Sequence, residues 1–546
     1  MHEITSSKIL ASHSLFGSRA LRAVAIAASA ALAGCAEDPD IPAAPDESPL
    51  EKAFAAIGGR DAVTALSTFR IESSGSRWLR GEAYSPDQPA SYVGDFTLDL
   101  DVDATGDRFR LHYARDIHFL GMIYKTDYDL ILNGEKGHVE GTDGIFGPTG
   151  EVPSDRWAST RKQQRLLNPH FVLRDIAADP ALVLDDKGES VVYGKRYQLV
   201  VVHDAVSPLT LYVDAATGTI DRVTITENDP VVRDTTLEIA YAGWAQAQGG
   251  SLSFPSEVSI LKNGELVHHE TRSSVEVGGS LAAETFALPD GMIPEFSPDQ
   301  ATRGEIEHEY HEDVESVGVP FDAYARSDIS AAEIAPGIHH LTGGSHHSLL
   351  VEQANGLILV EAPLGEVRSQ AILDWVGSTF NSKPITHVVA THFHSDHSAG
   401  VRTIAAAGAE VVVGEPSVRF YQDVFAREST ILPDALAKRS ITPKIRAVAR
   451  DGQLVLEDER RPVVIYPVQN SHAVDMVFAY VPQEKLVFVS DLLIAATPLV
   501  ITPPFTNFGR ELNDAIEALG IEVSTFAAAH GAGTNTYTEF VAALGL

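Results

Sequence analysis

A single cysteine, Cys35, stands in 546 residues. The chain beyond it has no disulfide, no thiolate metal ligand and no cysteine nucleophile. Basic residues are scarce as well: 41 Lys and Arg against 75 Asp and Glu give a formal charge of −34. That balance excludes nucleic acid as a partner, because phosphate binding needs concentrated Lys and Arg. The N-terminal apolar stretch, Ala23 to Ala33, has only eleven residues. Crossing the hydrocarbon takes roughly 20, so this is the core of a signal peptide and not a permanent span.

Lys8, Arg19 and Arg22 precede that stretch, and Leu32-Ala33-Gly34-Cys35 follows it. The arrangement resembles a bacterial lipoprotein signal, which implies that Cys35 is lipidated and becomes the mature N-terminus. Ala36 follows the Cys where an Asp would imply inner-membrane retention. The expected location is therefore the bacterial cell envelope: lipid-anchored, periplasm-facing, on the outer membrane. Residues 36–48, rich in acids and prolines, read as a tether.

Histidine is concentrated in one place. Thr391-His392-Phe393-His394-Ser395-Asp396-His397 follows the apolar run Ile385 to Ala390 and precedes Ala-rich helical sequence from Val401 to Ala407. Three imidazoles and a carboxylate thus crowd a strand-to-helix loop. Alternate residues on extended backbone point the same way, so His392 and His394 can share one ion, while Asp396 and His397 at the turn can serve a second. In a chain with 21 His and 75 acids, about 0.004 matches to H-x-H-x-[DE]-H arise by chance. His472 after Val463 to Val468, Asp491 after Leu486 to Ser490, and His530 after Phe526 to Ala529 are further ligand types at the ends of apolar strands. All can converge on one sheet edge.

With these residues in place, about residues 333–546 resemble the metallo-β-lactamase superfamily of metal-dependent hydrolases. The resemblance implies an αββα sandwich with metals at one edge. His392, His394 and His472 would hold one zinc, Asp396, His397 and His530 the other, and Asp491 would bridge them. It implies dinuclear zinc hydrolysis of an ester, lactone, thioester or lactam in a small acyl substrate, by a metal-bridging hydroxide that Asp396 orients as catalytic residue. Two zincs lower the pKa of a shared water from about 15.7 to near 7. Asp491 stands where the classical zinc β-lactamases place Cys, and the Asp form is more similar to glyoxalase II and lactonase branches. Imidazole and carboxylate also suit iron and manganese. Two alternatives therefore stay open: an iron-dependent redox member of the superfamily, and a lipid-binding lipoprotein with secondary hydrolysis.

The chain divides into a signal (1–34), a tether (35–48), a β-rich accessory domain (49–295), an acidic linker (296–325) and the hydrolase domain (326–546). In the accessory part, Leu50 to Ile57 and Asp61 to Leu66 read as helices broken at Gly58-Gly59. Alternation then takes over, in Phe96, Leu98, Leu100 and Val102, in Phe109, Leu111 and Tyr113, and in a hairpin around Asp214 to Gly218. This predicts an α+β domain with an antiparallel sheet, one face wet, whose pattern resembles the periplasmic lipoprotein-carrier half-barrel. It serves either as packing for the hydrolase or as a lipid or substrate binder. His112, His118, His138, His170 and His203 are scattered and read as surface or satisfied residues.

The linker's Glu305, Glu307, Glu309, Glu312, Asp313 and Glu315, with His308 and His311 among them, read as a solvated charge run. In the hydrolase part, strands around Asn355-Gly356 form a hairpin. His346 and His347 fall near the metals as substrate or supporting contacts, since the seven ligands are already complete. Glu361 supports the ligand loop. Leu492 to Phe508, apolar and Pro-rich, is either a pocket wall suited to an uncharged, apolar substrate or ordinary core packing.

Overall fold

The computed structural model describes residues 48–179, 182, 184–203, 208–289, 294–319, 328–381, 383–439 and 441–546. The signal, Cys35 and nearly all of the tether lie outside them, as do residues 320–325 of the acidic stretch. Among the described residues, no helix is long and apolar enough to cross a membrane.

Ser48 caps the first helix, Pro49–Ile57, by accepting the Glu51 N–H, and a second short helix, Arg60–Thr64, follows Gly59. Strands come next: β1 (Thr68–Leu79), β2 (Ser91–Asp103), β3 (Arg108–Phe119), β4 (Met122–Asn133), β5 (Lys136–Thr142), β6 (Leu184–Val192), β7 (Lys195–Val202), β8 (Leu209–Asp214), β9 (Ile220–Asp229) and β10 (Arg233–Ala242). A small ribbon, β11 (Ala245–Gln246) and β12 (Ser253–Phe254), leads to β13 (Glu257–Lys262) and β14 (Glu265–Val277). Apart from the ribbon these form one twelve-stranded sheet in the order 5-4-3-2-1-14-13-10-9-8-7-6, antiparallel throughout. The alternation in β2 buries Phe96, Leu98, Leu100 and Val102 in one core with Leu211, Ile239 and Ile260. The hairpin expected around Asp214 to Gly218 joins β8 to β9.

The acidic stretch corrects a sequence expectation. Its described part folds into helices Pro298–Ile306 and His308–Ser316, which pack on helix Ser154–Leu167. His308, Glu309 and Asp313 are buried, not solvated. Their charges are matched from the sheet: Lys262 Nζ lies 2.6 Å from Asp313, and Glu227 lies 3.1 Å from His308. A buried charge persists only when paired, and these partners lie 51 and 81 residues away in sequence.

The C-terminal half has two sheets. The first contains β15 (Ser330–Ala335), β16 (Ile338–Thr342), β17 (Ser348–Glu352), β18 (Leu357–Val360), β19 (Ile385–Val389), β20 (Glu410–Gly414) and β21 (Ile445–Val448). The second contains β22 (Leu454–Leu456), β23 (Val463–Pro467), β24 (Val477–Val481), β25 (Leu486–Ala495), β26 (Thr525–Gly531) and β27 (Thr534–Thr536). Their facing sides share one core, in which Val351, Val360 and Val389 meet Ile465, Ala479 and Phe488. Helices Glu366–Thr379 and Val401–Ala406 cover the outside of the first sheet, and Phe505–Leu519 and Tyr537–Ala543 cover the second. The strands are apolar on both faces because both faces are covered. The result is the mixed α/β architecture expected, with a β-rich N-terminal half and an αββα C-terminal half.

Candidate metal centre

All the candidate ligands come from strand ends on one edge of the sandwich. β19 stops at Val389, and the loop after it is pinned on both sides: Ala390 N–H donates to Val412 O in β20, and Val477 N–H in β24 donates to Thr391 O. His392 and His394 extend from this loop, and Asp396 and His397 lie in the short helix Ser395–Ser398. His472 precedes β24. The pairing of β25 with β26 lapses between Val489 and Ile494, which frees Asp491 from the ladder, and His530 lies beside that gap. Breaks of this kind re-aim side chains at sheet edges.

The structure brings the seven residues together in two sets. Donor atoms of His392, His394, His472 and Asp491 form one, and those of Asp396, His397, His530 and also His346 form the other, each set within 4.8 Å. Asp491 faces both, with Oδ2 2.9 Å from His472 Nε2 and Oδ1 2.9 Å from His397 Nε2 and 3.0 Å from His530 Nε2. The His397 and His530 Nε2 atoms lie only 3.4 Å apart. His346 Nε2–H donates to the Asp396 carboxylate at 2.9 Å from Oδ2, and its Nδ1 lies 2.8 Å from Ser345 Oγ. His347 stands apart, against His340.

The donor set fits a pair of divalent cations. Three buried polar atoms there, His392 Nε2, His472 Nε2 and Asp396 Oδ1, have no hydrogen-bond partner. His472 Nε2 touches Asp491 without lying on a hydrogen-bond direction, as two ligands of a common ion do. Unbonded buried polar atoms occur elsewhere too, Arg77 Nη1 and Glu309 Oε2 among them. What marks a ligand position here is that these are imidazole and carboxylate atoms converging within 4.8 Å of further ligand-type atoms. Zinc-type ions take imidazole nitrogen and carboxylate oxygen in such sites.

Electrostatics point the same way. Burial, with His397 and His394 beside it, drives His392 well below the ordinary imidazole value, and burial and then His472 bring His394 down to about 3. Burial opposes charge on Asp491 and Asp396, yet His397 with His530 hold the first, and His397 with His346 the second, far below the usual carboxylate range. Burial also opposes charge on His397, but Asp396, Asp491 and Glu361 raise it well above the ordinary value. The ionised carboxylates thus hold a proton on His397, positive charge at a position suited to a cation. Glu361 holds the arrangement from behind, accepting the Thr391 hydroxyl at 2.6 Å and facing His397 Nδ1 at 2.9 Å. That bond leaves His397 Nε2 for an ion.

Residues 341–530 match the family model described as the metallo-β-lactamase superfamily. This segment is a metallo-β-lactamase superfamily domain. Solved structures similar to it include a metallo-β-lactamase from Pontibacter korlensis, at 16% identity over 40% of this chain and 99% of that one with a TM-score of 0.32. A metallo-β-lactamase from Hirschia baltica matches at 16% identity, 40% and 96% coverage and a TM-score of 0.31. Rubredoxin oxygen:oxidoreductase from Desulfovibrio gigas matches at 15% identity, 40% and 60% coverage and a TM-score of 0.32.

The metallo-β-lactamase domain does not form its centre alone, and here the sequence reading missed residues. The histidines of the N-terminal half read as scattered, but the connection between β1 and β2 reaches the candidate ligands. Ala83 O lies 2.9 Å from His394 Nε2, which leaves His394 Nδ1 for an ion, and Glu82 Oε2 lies 3.4 Å from that Nδ1. Glu82 Oε1 accepts Ser395 N–H at 3.1 Å and Ser395 Oγ–H at 2.8 Å. Tyr84 O accepts Val474 N–H at 2.8 Å, beside His472. Burial, then Asp396, push the Glu82 carboxyl well above its ordinary value. A signal existed: eleven residues separate two long strands that a two-residue turn could join.

Leu492 to Phe508 turns out to be divided. Leu492, Leu493, Leu499 and Ile501 pack on the core of the second sheet, while Pro504, Asn507 and Phe508 reach the cavity over the metal centre. Of the scattered histidines, His170 is buried with Nε2 bonded to Ser253 O and Nδ1 without a hydrogen-bond partner, so it is only half satisfied. His118 lies at the cavity rim.

Proposed function

We propose that the C-terminal half is a dinuclear zinc hydrolase that cleaves an ester, lactone, thioester or lactam bond in a small molecule. The observation that supports this reading is the pair of donor sets meeting at Asp491, with three buried polar atoms left unbonded between them. His392, His394 and His472 would hold one zinc, Asp396, His397 and His530 the second, with Asp491 between. When bound, such ions supply a lowered pKa for water and a Lewis acid for an acyl oxygen. The protein's part is to orient and to move protons. His346 fixes Asp396 Oδ2 and so holds Oδ1 towards the donor set, where its two lone pairs would serve both the second zinc and a proton of the attacking water. Glu361 keeps His397 from turning. The cavity walls limit bulk water at the reacting bond.

Metal content by mass spectrometry, alongside turnover of chromogenic ester, lactone, thioester and β-lactam substrates, tests the proposal. Two zincs per chain and activity lost in His392→Ala are expected. One iron per chain without hydrolysis overturns it in favour of redox chemistry. The proposal includes a lipid anchor at Cys35 on the periplasmic face of the outer membrane, and Cys35→Ala should then move the protein from the membrane to the soluble fraction.

A further inference from the structure

The cavity above the metal centre has a volume of about 500 Å³, a size typical of small-molecule sites. Its floor belongs to the metallo-β-lactamase domain, with His394, Asp396, His472 and Asp491, but most of its wall comes from the other half of the chain. Leu79 and Val93 of β1 and β2 form an apolar cluster with Val317, against which Phe119 and Val319 pack. Tyr92 and Leu120 extend that surface, and Leu120 also packs on the core of the second sheet. The wall is fixed in place by the contacts of Glu82, Ala83 and Tyr84 to Ser395, His394 and Val474. It is anchored again at the far side, where Asp234 accepts Thr430 N–H and Arg233 donates to Leu432 O.

The charges at the cavity are one-sided. Glu82, Asp229, Asp313, Asp396 and Asp491 line it; Lys262 behind the wall already pairs with Asp229 and Asp313, and Arg80 is the single Lys or Arg among the lining residues themselves. Arg80 already faces Glu265 at 3.4 Å. Protonated or ionised, Glu82 offers a substrate carboxylate no cation. An anionic group carried away from the scissile bond therefore loses its hydration at this wall and gains no partner.

We propose that the N-terminal half is the recognition half of the enzyme, and that its wall at Tyr92, Phe119 and Leu120 selects uncharged substrates with an apolar body against those bearing a distal anion. This rests on the hydrolase reading but is testable without turnover. Two hydrolytically inert probes of equal length, 2-octanone and 7-oxooctanoate, differ only in a terminal methyl or carboxylate. Calorimetry on the zinc-loaded protein, with excess acetate present so that a probe carboxylate cannot bind end-for-end on the zincs, should show 2-octanone binding and 7-oxooctanoate binding at least about tenfold more weakly. Tyr92→Ala and Phe119→Ala should each weaken 2-octanone about tenfold. Tyr92 is already 40% exposed, so its replacement leaves the core intact. Tyr92→Arg, which supplies the missing cation, should instead strengthen 7-oxooctanoate. Equal or tighter binding of 7-oxooctanoate to the unaltered protein, or variants without effect on 2-octanone, overturns the proposal. Discrimination between the probes by a protein without hydrolytic turnover would count against the hydrolase reading alone, and turnover without discrimination against this one alone.

Discussion

Both halves of the molecule bury polar side chains, but they dispose of them in opposite ways. In the N-terminal half a buried acid faces a base: Lys262 lies 2.8 Å from Asp229 and 2.6 Å from Asp313, Arg156 lies 2.7 Å from Asp143 and 2.8 Å from Glu315, and Lys162 lies 2.8 Å from Glu227. In the candidate metal centre imidazoles and carboxylates face one another, and neither Asp396 nor Asp491 has a Lys or Arg among its ion pairs or main charge partners. Buried charge alone is therefore no mark of function in this chain. Convergence of imidazole and carboxylate ligand atoms on one point, with no Lys or Arg paired to them, sets the candidate site apart.

The largest expected effect comes from removing the residue both donor sets share. Asp491→Ala should lower zinc from two per chain to one or none and reduce kcat/KM by at least about a thousandfold. Two retained zincs by mass spectrometry would break the contrast, since Asp491 would then be one more paired acid. Asp396→Asn is the next test, removing charge while keeping shape. Its kcat should fall about a hundredfold with KM little changed, and full kcat with both zincs bound rules out the role assigned to Asp396.

The contrast sharpens at the residues behind the ligands, one from each half. Glu361 holds His397 from within the metallo-β-lactamase domain, and Glu82 braces Ser395 and His394 from outside it. Glu361→Gln should weaken zinc affinity about 10- to 100-fold, and Glu82→Ala by about tenfold, measured by competition with a chromogenic chelator. An unchanged affinity in Glu82→Ala would make the metal centre the work of the C-terminal half alone.

These two glutamates also show what the sequence made legible. The ligand loop could be read because its donors are close in sequence and each distant partner ends an apolar strand. The strands of both halves could be read because a sheet with one covered face alternates, and one with both faces covered does not. Glu82 and Ala83 could not, because a backbone carbonyl has no sequence signature and Ser395 lies 313 residues away. His308, Glu309 and Asp313 looked like a solvated run for the same reason: their neutralising partners are on β1, β9 and β13, and only the fold brings them near.

Acid should separate the halves further. Burial would raise the Glu227 carboxyl, but Lys162 and His308 outweigh it and hold it at about 2. A depressed carboxylate contributes stability above its unfolded value near 4.5 and loses it as pH falls toward 2. The shift corresponds to roughly 3 kcal/mol. Chemical unfolding from pH 7 to 2 should show that loss below about pH 4.5, and Glu227→Gln should flatten it. A variant that keeps the full acid dependence would assign it to other pairs.

The smallest effect is expected at the hairpin tip that reaches from one half to the other. Leu120 and Gly121 join β3 to β4 with both residues at positive φ, 50° and 76°. The left-handed region costs a leucine about 1 kcal/mol that a glycine does not lose. Leu120→Gly therefore relieves backbone strain while removing a half-buried side chain from the second-sheet core, a loss of similar size. The two should cancel to within about 0.5 kcal/mol in stability, yet affinity for 2-octanone should still fall severalfold, because the wall has lost a contact. A stability loss of about 2 kcal/mol or more, with affinity unchanged, would make the tip a strut between the halves rather than part of the substrate wall.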